Sequence, residues 1–289
     1  MKYLSTIEKI KINELKIFKH LKPTISLFIP QIAIQVYTLL DRTMVGTIIA
    51  NKSEVGYYDQ AQKIVKMLLT IITSMGTVML PRIANTYAEG NKEKVKKYMN
   101  KSFNLVFLLS FPMIFGIISV SNNFVPVFFG EGYDKVITLI NVISPIILLI
   151  GLSNVTGTQY LLPTKRQKEY TISVICGAII NFIMNMCFIW RYGAMGASIG
   201  TVIAEFVVAS VQIYFVRNDF NFKEILSSSK KYLVSSIVMF IICFILGKIV
   251  NNNLVATITQ VIVGGITYIC CLLILKDQFI FEILEKIKK

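Results

Sequence analysis

Two charged residues lie well inside long apolar stretches of this chain, and a third, Lys248, lies near the end of another. Lys66 stands among aliphatic residues, and Glu205 lies in the middle of the run Ala194–Val216. A charge in an apolar environment is costly unless it faces water, an opposite charge or a ligand. Lys66 is therefore a candidate for binding an anion. Glu205 is either a proton-coupling carboxylate or a protonated acid with a structural role.

Polar residues recur at helical spacing on two consecutive segments. The two sets are Thr24, Gln31, Gln35, Thr38 and Arg42, and Lys63, Lys66, Thr70, Thr73 and Thr77. Spacings of three, four and seven place each set on one face of a helix. The neutral residues either form hydrogen bonds between packed helices or line a hydrated cleft. For Lys66 the cleft is the favoured interpretation, because an ammonium group needs water or an opposite charge. Asp59, four residues before Lys63, is at the spacing that allows an ion pair with it.

Eight apolar stretches must position these side chains. They are Pro23–Leu40, Ile64–Leu80, Phe103–Val120, Val136–Leu152, Tyr170–Trp190, Ala194–Val216, Tyr232–Val250 and Leu254–Leu275. Each has the roughly 17–25 residues with which a helix crosses a bilayer. Continuous apolar runs of this length exclude the alternating strands of a membrane barrel. We therefore predict an all-α, polytopic membrane protein with about eight transmembrane helices.

The composition supports this class. The chain is 54% apolar and 16% charged, and its mean hydropathy is +0.64. A soluble domain has about 25% charged residues, so a soluble enzyme, a disordered chain and a disulfide-rich secreted module are disfavoured. The 30 Lys and Arg alternate between the two sides of the predicted spans, 23 on one side and six on the other, with Lys66 inside a span.

This alternation predicts the orientation. Positive charge concentrates in cytoplasmic loops, so both termini are predicted to be cytoplasmic in a multi-pass protein of the cell membrane. Because the cations flank spans, we expect no nucleic-acid partner. The basic arm at residues 1–22 is either a solvated segment or an amphipathic helix on the inner leaflet, with Ile7, Ile10, Leu15 and Phe18 as its apolar face.

Motifs of enzymes and metal sites are absent from the sequence. There is no phosphate-binding Gly-x-x-x-x-Gly-Lys loop, no Gly-x-Ser-x-Gly elbow and a single histidine, His20. The five cysteines lie in apolar runs without the spacing of metal ligands. We therefore expect no enzyme activity, no catalytic residue, no metal and no cofactor.

Small and kink-forming residues indicate how the spans pack. Gly196-x-x-x-Gly200-x-x-x-Ala204 is a strip that allows close helix packing, and Asn181 and Asn185 form an i, i+4 polar pair. Three prolines within spans predict kinks. They are Pro30, Pro112 and Pro145.

Several short motifs carry a family resemblance. They are Phe28-Ile-Pro-Gln-Ile-Ala, Asp41-Arg-Thr-Met-Val-Gly, Val55-Gly-Tyr-Tyr-Asp-Gln-Ala-Gln-Lys, Met79-Leu-Pro-Arg-Ile-Ala, Phe128-Phe-Gly-Glu-Gly-Tyr and Gly193-Ala-Met-Gly-Ala-Ser. In this order the set resembles Wzx-type polysaccharide flippases of the multidrug/oligosaccharidyl-lipid/polysaccharide (MOP) exporter superfamily, which also contains the MATE transporters. The resemblance covers nearly the whole chain from about Leu21.

The resemblance implies an architecture. Members of the family have fourteen spans, arranged as two six-helix lobes and a final pair, and this chain resembles the last eight. Residues 23–217 would form one six-span lobe, and residues 218–289 would form the helix pair with a short cytoplasmic tail. A separate N-terminal lobe is then an expected partner.

The resemblance also implies a function. Such proteins export undecaprenyl-pyrophosphate-linked oligosaccharide units, so we expect a lipid-linked oligosaccharide and membrane lipids as ligands, and a glycan polymerase or glycosyltransferases as further partners. The candidate translocation residues are Gln31, Gln35, Arg42, Lys63, Lys66 and, at the cytoplasmic end of the second span, Arg82. Two alternatives stay open: a cation-coupled multidrug exporter that uses Glu205, and a non-transporting fragment or scaffold for glycan assembly enzymes.

Overall fold

The structure, a computed structural model, describes residues 17–287, and a few of these near both ends are described by backbone alone. Within this range there are ten α-helices, a π-helical segment and no strand. The helices are α1 (Ile17–Ile48), α2 (Ser53–Ala88), α3 (Lys92–Phe129), α4 (Asp134–Ile143), α5 (Ile146–Ser153), the π segment (Asn154–Leu161), α6 (Gln167–Tyr192), α7 (Ala194–Val216), α8 (Phe222–Ile249), α9 (Asn253–Ile274) and α10 (Gln278–Ile287). The apolar face predicted for the N-terminal arm (Ile7, Ile10, Leu15 and Phe18) lies outside the side chains described.

Seven segments of the described chain are long and apolar enough to cross a membrane. They are α2, α3, the run Asp134–Leu161, α6, α7, α8 and α9. The first predicted span lies within α1, which has 32 residues. The prediction of an all-α polytopic membrane protein is thereby confirmed.

Two helices extend well beyond a membrane thickness. With 36 and 38 residues, α2 and α3 are each about 55 Å long, against about 30 Å for the hydrocarbon core. The basic segment between the second and third predicted spans is therefore mostly helical, with a tight turn at its centre. There Asn91 accepts a hydrogen bond from the backbone N–H of Lys94 (3.0 Å) and caps α3.

The fourth predicted span is broken near its middle. Helix α4 ends at Ile143 and α5 begins at Ile146, so the predicted effect of Pro145 is seen as a helix break. Pro30 and Pro112 lie inside α1 and α3, which continue through them, and the kinks there stay predictions. Both halves of the broken span carry fully buried side chains, among them Val136, Ile140, Ile146 and Ile147.

Helices α6 and α7 form a close helix pair. An added Cβ at Gly196 would lie 2.4 Å from the Phe188 carbonyl oxygen, and one at Gly200 would lie 2.5 Å from Asn185 Oδ1. These helices touch at distances that a larger side chain would prevent, so the predicted small-residue strip is confirmed as a packing surface.

Glu54 joins the beginnings of three helices. Its Oε2 accepts a hydrogen bond from the backbone N–H of Ala194 (3.0 Å) at the start of α7, and its Oε1 pairs with Lys135 of α4. A carboxylate at a helix N-terminus is favourable because the free N–H groups there carry partial positive charge. Gly193 has a φ of +60°. A Cβ at this position would lie 2.7 Å from Glu54 Oε2, so the missing side chain leaves room for the carboxylate.

The last two spans pack against α3. Gln260 of α9 donates to the carbonyl oxygens of Ser119 (3.1 Å) and Cys243 (2.9 Å), and Asn123 donates to Gln260 Oε1 (3.2 Å). These buried bonds link α3, α8 and α9. The division into a lobe at residues 23–217 and a pair at residues 218–289 stays a prediction.

Candidate functional site

The polar stripes of α1 and α2 lie at the surface of this chain. Gln31 and Gln35 are exposed, and Arg42 is half-buried. On α2, Lys63 is exposed and Lys66 is half-buried. The predicted polar faces therefore exist, and they border the buried side of the bundle.

Several threonine hydroxyls of these stripes bond within their own helices. Thr38 donates to the Ile34 carbonyl (2.8 Å), Thr70 to that of Met67 (2.6 Å) and Thr77 to that of Ser74 (2.6 Å). In the described part of the chain these hydroxyls thus make no bond to a neighbouring helix. This geometry favours the interpretation that the neutral residues line a cleft over the one in which they form hydrogen bonds between packed helices.

Arg42 and Asp59 connect the two stripes. Arg42 Nε lies 2.7 Å from Asp59 Oδ1, and both side chains are about one-third exposed. The pair of Asp59 with Lys63 that the spacing allows is therefore not the one that forms. The i, i+4 spacing permits that pair, but α1 places a guanidinium closer to the carboxylate than the lysine on its own helix.

Glu205 is buried in the middle of α7. Its side chain is 6% exposed, and Oε1 accepts a hydrogen bond of 2.8 Å from the Tyr37 hydroxyl of α1. Lys66, Asp41 and Glu205 lie within electrostatic reach of one another. The two charged residues singled out in the sequence are thus brought together, with Tyr37 as the direct partner of the acid.

A second buried carboxylate, Asp41, lies one helical turn along α1. It is 2% exposed. Oδ2 accepts from the hydroxyls of Tyr58 (2.9 Å) and Thr201 (3.0 Å), and Oδ1 accepts from Asn185 Nδ2 (2.6 Å). Asn185 also donates to Asn181 Oδ1 (3.2 Å), which accounts for the asparagine pair in the sequence.

Asp41 was missed as a site residue in the sequence because it follows the last apolar residue of the predicted span. Two signals pointed to it: the spacing Tyr37–Asp41 and the motif that begins at this aspartate.

The cluster formed by Asp41, Tyr58, Thr201, Asn185 and Asn181 offers hydroxyl, amide and carboxylate oxygens. Oxygen atoms of these kinds are suitable ligands for a hard cation. No group of three or more His, Cys, Asp and Glu residues suited to a metal occurs among residues 17–287.

A small cavity lies beside Glu205. It has a volume of about 190 Å³, and Tyr37, Asn154 and Gln212 are among its lining residues. Gln212, which lies on the same face of α7 as Glu205, donates to Ser173 (3.0 Å) and accepts from Thr156 (2.7 Å). The adjoining π segment is a conformation often found at functional sites.

An apolar groove opens between α2, α3, α8 and α9. Its volume is about 820 Å³. Side chains such as Met67, Met113, Phe124 and Val261 line it, and Lys63 lies at its rim. The groove is therefore large enough for part of a hydrocarbon chain and has a cation beside it.

Comparison with known proteins agrees with this architecture. Residues 5–138 match a family described as polysaccharide biosynthesis proteins. The chain is 25% identical over 213 residues to the putative O-antigen transporter of Escherichia coli K12, which covers 74% of this chain and 51% of that protein. A structure of the lipid II flippase MurJ in an inward closed conformation superposes with a TM-score of 0.77 at 19% identity, covering 91% of this chain and 56% of that one.

An outward-facing MATE transporter of the MOP superfamily shares the fold as well, with a TM-score of 0.57 at 17% identity and coverages of 86% and 60%. In sequence the chain resembles proteins named as an O-antigen transporter and as flippases, and in fold it resembles MurJ and a MATE transporter. It spans about half the length of the curated relatives that it matches.

The residues proposed from the MOP resemblance divide into two places. Gln31, Gln35, Arg42, Lys63 and Lys66 lie on or beside the α1–α2 face. Arg82 follows Lys66 by 16 residues on α2, which corresponds to about 24 Å along the helix. It lies in a cleft with residues of α3 and α10. Arg82 therefore cannot contact a ligand group held at Lys66.

Proposed function

We propose that this chain acts in flipping undecaprenyl-pyrophosphate-linked oligosaccharide units across the cytoplasmic membrane, as one lobe of a MOP-type flippase with both termini in the cytoplasm. The observation that carries the proposal is the exposed polar face of α1 and α2, which bears Arg42 and Lys66 and adjoins an apolar groove. This combination suits an amphipathic substrate with an anionic head.

The charges on this face match the chemistry of the head group. A pyrophosphate in a low-dielectric region needs compensating cations, because its interaction with water is lost there. Lys66 is held near Asp41 and Glu205 without an ion pair of less than 4 Å to a described residue. Its ammonium is therefore available to an incoming anion. The protein's part is binding and passage, and no chemical reaction is proposed.

The same face supports the presence of a second lobe. Gln31 and Gln35 are exposed within the first predicted span, where polar side chains normally face protein or a water-filled cavity. A six-helix lobe placed against α1 and α2 would close this cavity. Alternating access then consists of movement of the two lobes around the shared face.

The proposal is tested in proteoliposomes with a fluorescent undecaprenyl-pyrophosphate-linked oligosaccharide, whose exposure is followed with a membrane-impermeant quencher. We expect no flipping by the monomeric chain alone, and flipping when the chain is joined to the N-terminal lobe of a MOP-superfamily relative. Lys66→Gln should reduce the rate about tenfold, which corresponds to about 1.4 kcal/mol of barrier. Lys52→Gln, an exposed lysine in the α1–α2 turn, is the matched control.

Equal rates for Lys66→Gln and Lys52→Gln in a folded, active protein would contradict the role of the face. Absence of flipping by the joined protein, with the substrate bound, would favour a scaffold for glycosyltransferases or a polymerase.

A second candidate function is cation-coupled multidrug export. It is favoured by the buried carboxylates Asp41 and Glu205, which lie one turn apart on facing helices. Protonation or cation binding at these acids would change the charge beside Lys66. Drug efflux that is lost in Glu205→Gln while sugar-lipid flipping is retained would support this alternative over the first.

A further inference from the structure

A second basic region lies at the opposite end of α2 from the Asp41 cluster. Two adjoining cavities of about 480 and 390 Å³ lie between α2, α3 and α10. They share Lys97, Lys101, Phe279 and Glu282, and together they form one continuous cleft, called here the α10 cleft. The charge pattern predicts that this end is cytoplasmic.

Cations outnumber acids in the α10 cleft. Its basic residues are Arg82, Lys96, Lys97 and Lys101, and its acids are Glu93 and Glu282. Lys101 pairs with Glu282 at 2.8 Å. Arg82 and Lys97 form no ion pair with an acid among the described residues. The cleft therefore has an excess of uncompensated positive charge.

The wall of the α10 cleft combines apolar and polar groups. Met75, Met79 and Leu105 line it. Ser102 lines it too, and although this residue is 3% exposed, its Oγ has no hydrogen-bond partner among the described residues. A buried hydroxyl without a hydrogen-bond partner destabilises the fold. It is a hydrogen-bonding group suited to a ligand oxygen.

Helix α10 forms one side of the cleft. Its start is capped by Asp277, whose Oδ1 accepts from the Ile280 backbone N–H (3.1 Å). Phe279 and Ile280 pack against the core, and Glu282 extends to Lys101 across the cleft. The carboxylate thus occupies a position where an anion is attracted.

We propose that the α10 cleft binds the anionic phosphate headgroup of a membrane lipid, and that Glu282 is displaced from Lys101 when the headgroup binds. Arg82, Lys97 and Lys101 neutralise the phosphate, Ser102 hydrogen-bonds to it, and the methionines contact the first carbons of the lipid. This site is separate from the α1–α2 face, and the inference goes beyond the proposed function.

A lipid, rather than a soluble phosphate, suits the surroundings. Basic pockets at the cytoplasmic ends of membrane helices recognise anionic headgroups. Contact of the attached carbon chain with the apolar lining of the cleft is favourable because it buries apolar surface. The shared chemistry of both ligands is the phosphate, so the two sources must be separated by experiment.

The test is native mass spectrometry of the full chain in detergent, titrated with phosphatidylglycerol, phosphatidylcholine or inorganic pyrophosphate. We expect a preference for phosphatidylglycerol over phosphatidylcholine that falls about tenfold or more in Arg82→Gln/Lys97→Gln. The matched control, Lys223→Gln/Lys230→Gln, removes two exposed lysines of α8 and should keep the preference. Glu282→Gln should bind phosphatidylglycerol about two- to fivefold more tightly, because it removes a competing exposed ion pair.

Three results would overturn the proposal. The first is an equal loss of preference in the test and control variants, which would indicate general surface charge. The second is weaker binding in Glu282→Gln, which would make α10 a structural clamp. The third is displacement of the lipid by equimolar inorganic pyrophosphate, which would favour a soluble anion. Transport is not measured, so failure here leaves the proposed function unaffected, and loss of transport leaves this site unaffected.

Discussion

The Tyr37 hydroxyl donates a hydrogen bond of 2.8 Å to Glu205, and one turn away the Thr201 hydroxyl donates one of 3.0 Å to Asp41. Tyr37 precedes Asp41 by four residues on α1, and Thr201 precedes Glu205 by four residues on α7. The two bonds therefore join antiparallel helices in a fixed register. This register holds the α1 polar face beside Lys66.

Removal of the first bond should destabilise the fold. We expect Tyr37→Phe to lower the free energy of unfolding by about 1–3 kcal/mol, because the buried Glu205 carboxylate loses the hydroxyl that donates to it. Thermal unfolding in detergent, followed by tyrosine fluorescence, measures this. Tyr57→Phe is the control, since Tyr57 contacts Tyr133 edge to face through its ring. Equal melting curves for both variants would contradict the structural importance of the bond.

The Asp41 cluster should be more sensitive than the surface pair beside it. Asp41→Ala removes the acceptor of three buried donors, and the loss of stability should exceed about 2 kcal/mol. Asp59→Ala removes the ion pair with Arg42, which is partly exposed, and should cost less than about 1 kcal/mol. Chemical denaturation of the two variants side by side checks the order. The reverse order would show that Asp41 is not a structural centre.

Close packing of α6 and α7 should make Gly196 intolerant of a methyl group. We expect Gly196→Ala to lower stability by about 1–3 kcal/mol, because the new carbon would meet the backbone of Phe188. Gly265→Ala is the control, since an added Cβ there would meet nothing within 4 Å. Alanine favours a helix by about 1 kcal/mol over glycine, so that control should be neutral or stabilising. A neutral Gly196→Ala would refute the predicted contact.

Glu54 should stabilise the start of α7. Glu54→Ala removes both the cap on Ala194 and the pair with Lys135, and should cost about 1–2 kcal/mol. Hydrogen exchange at the first turn of α7 should rise more than exchange elsewhere. Glu89→Ala, an exposed acid at the end of α2, should leave that turn protected. Uniform exchange changes in both variants would argue against a local cap.

The predicted orientation can be tested by labelling. In a variant whose five native cysteines are replaced, a cysteine at Asn51 should react with an impermeant maleimide from outside intact cells. A cysteine at Lys168 should react after the membrane is opened. Both positions are in or next to loops between helices. Labelling of Lys168→Cys in intact cells would reverse the topology.

The sequence by itself determined the fold class, because apolar runs of membrane length and alternating cations leave few other arrangements. It also identified the two polar faces, since helical spacing is a local property. The tertiary structure decided which of those residues meet. Asp59 pairs with Arg42 rather than with Lys63, and Asp41 becomes buried, because both outcomes depend on how α1 packs against α2, α6 and α7. The place of Arg82 in a cleft with α10 also depends on tertiary packing, whereas its separation of about 24 Å from Lys66 already follows from 16 residues of helix.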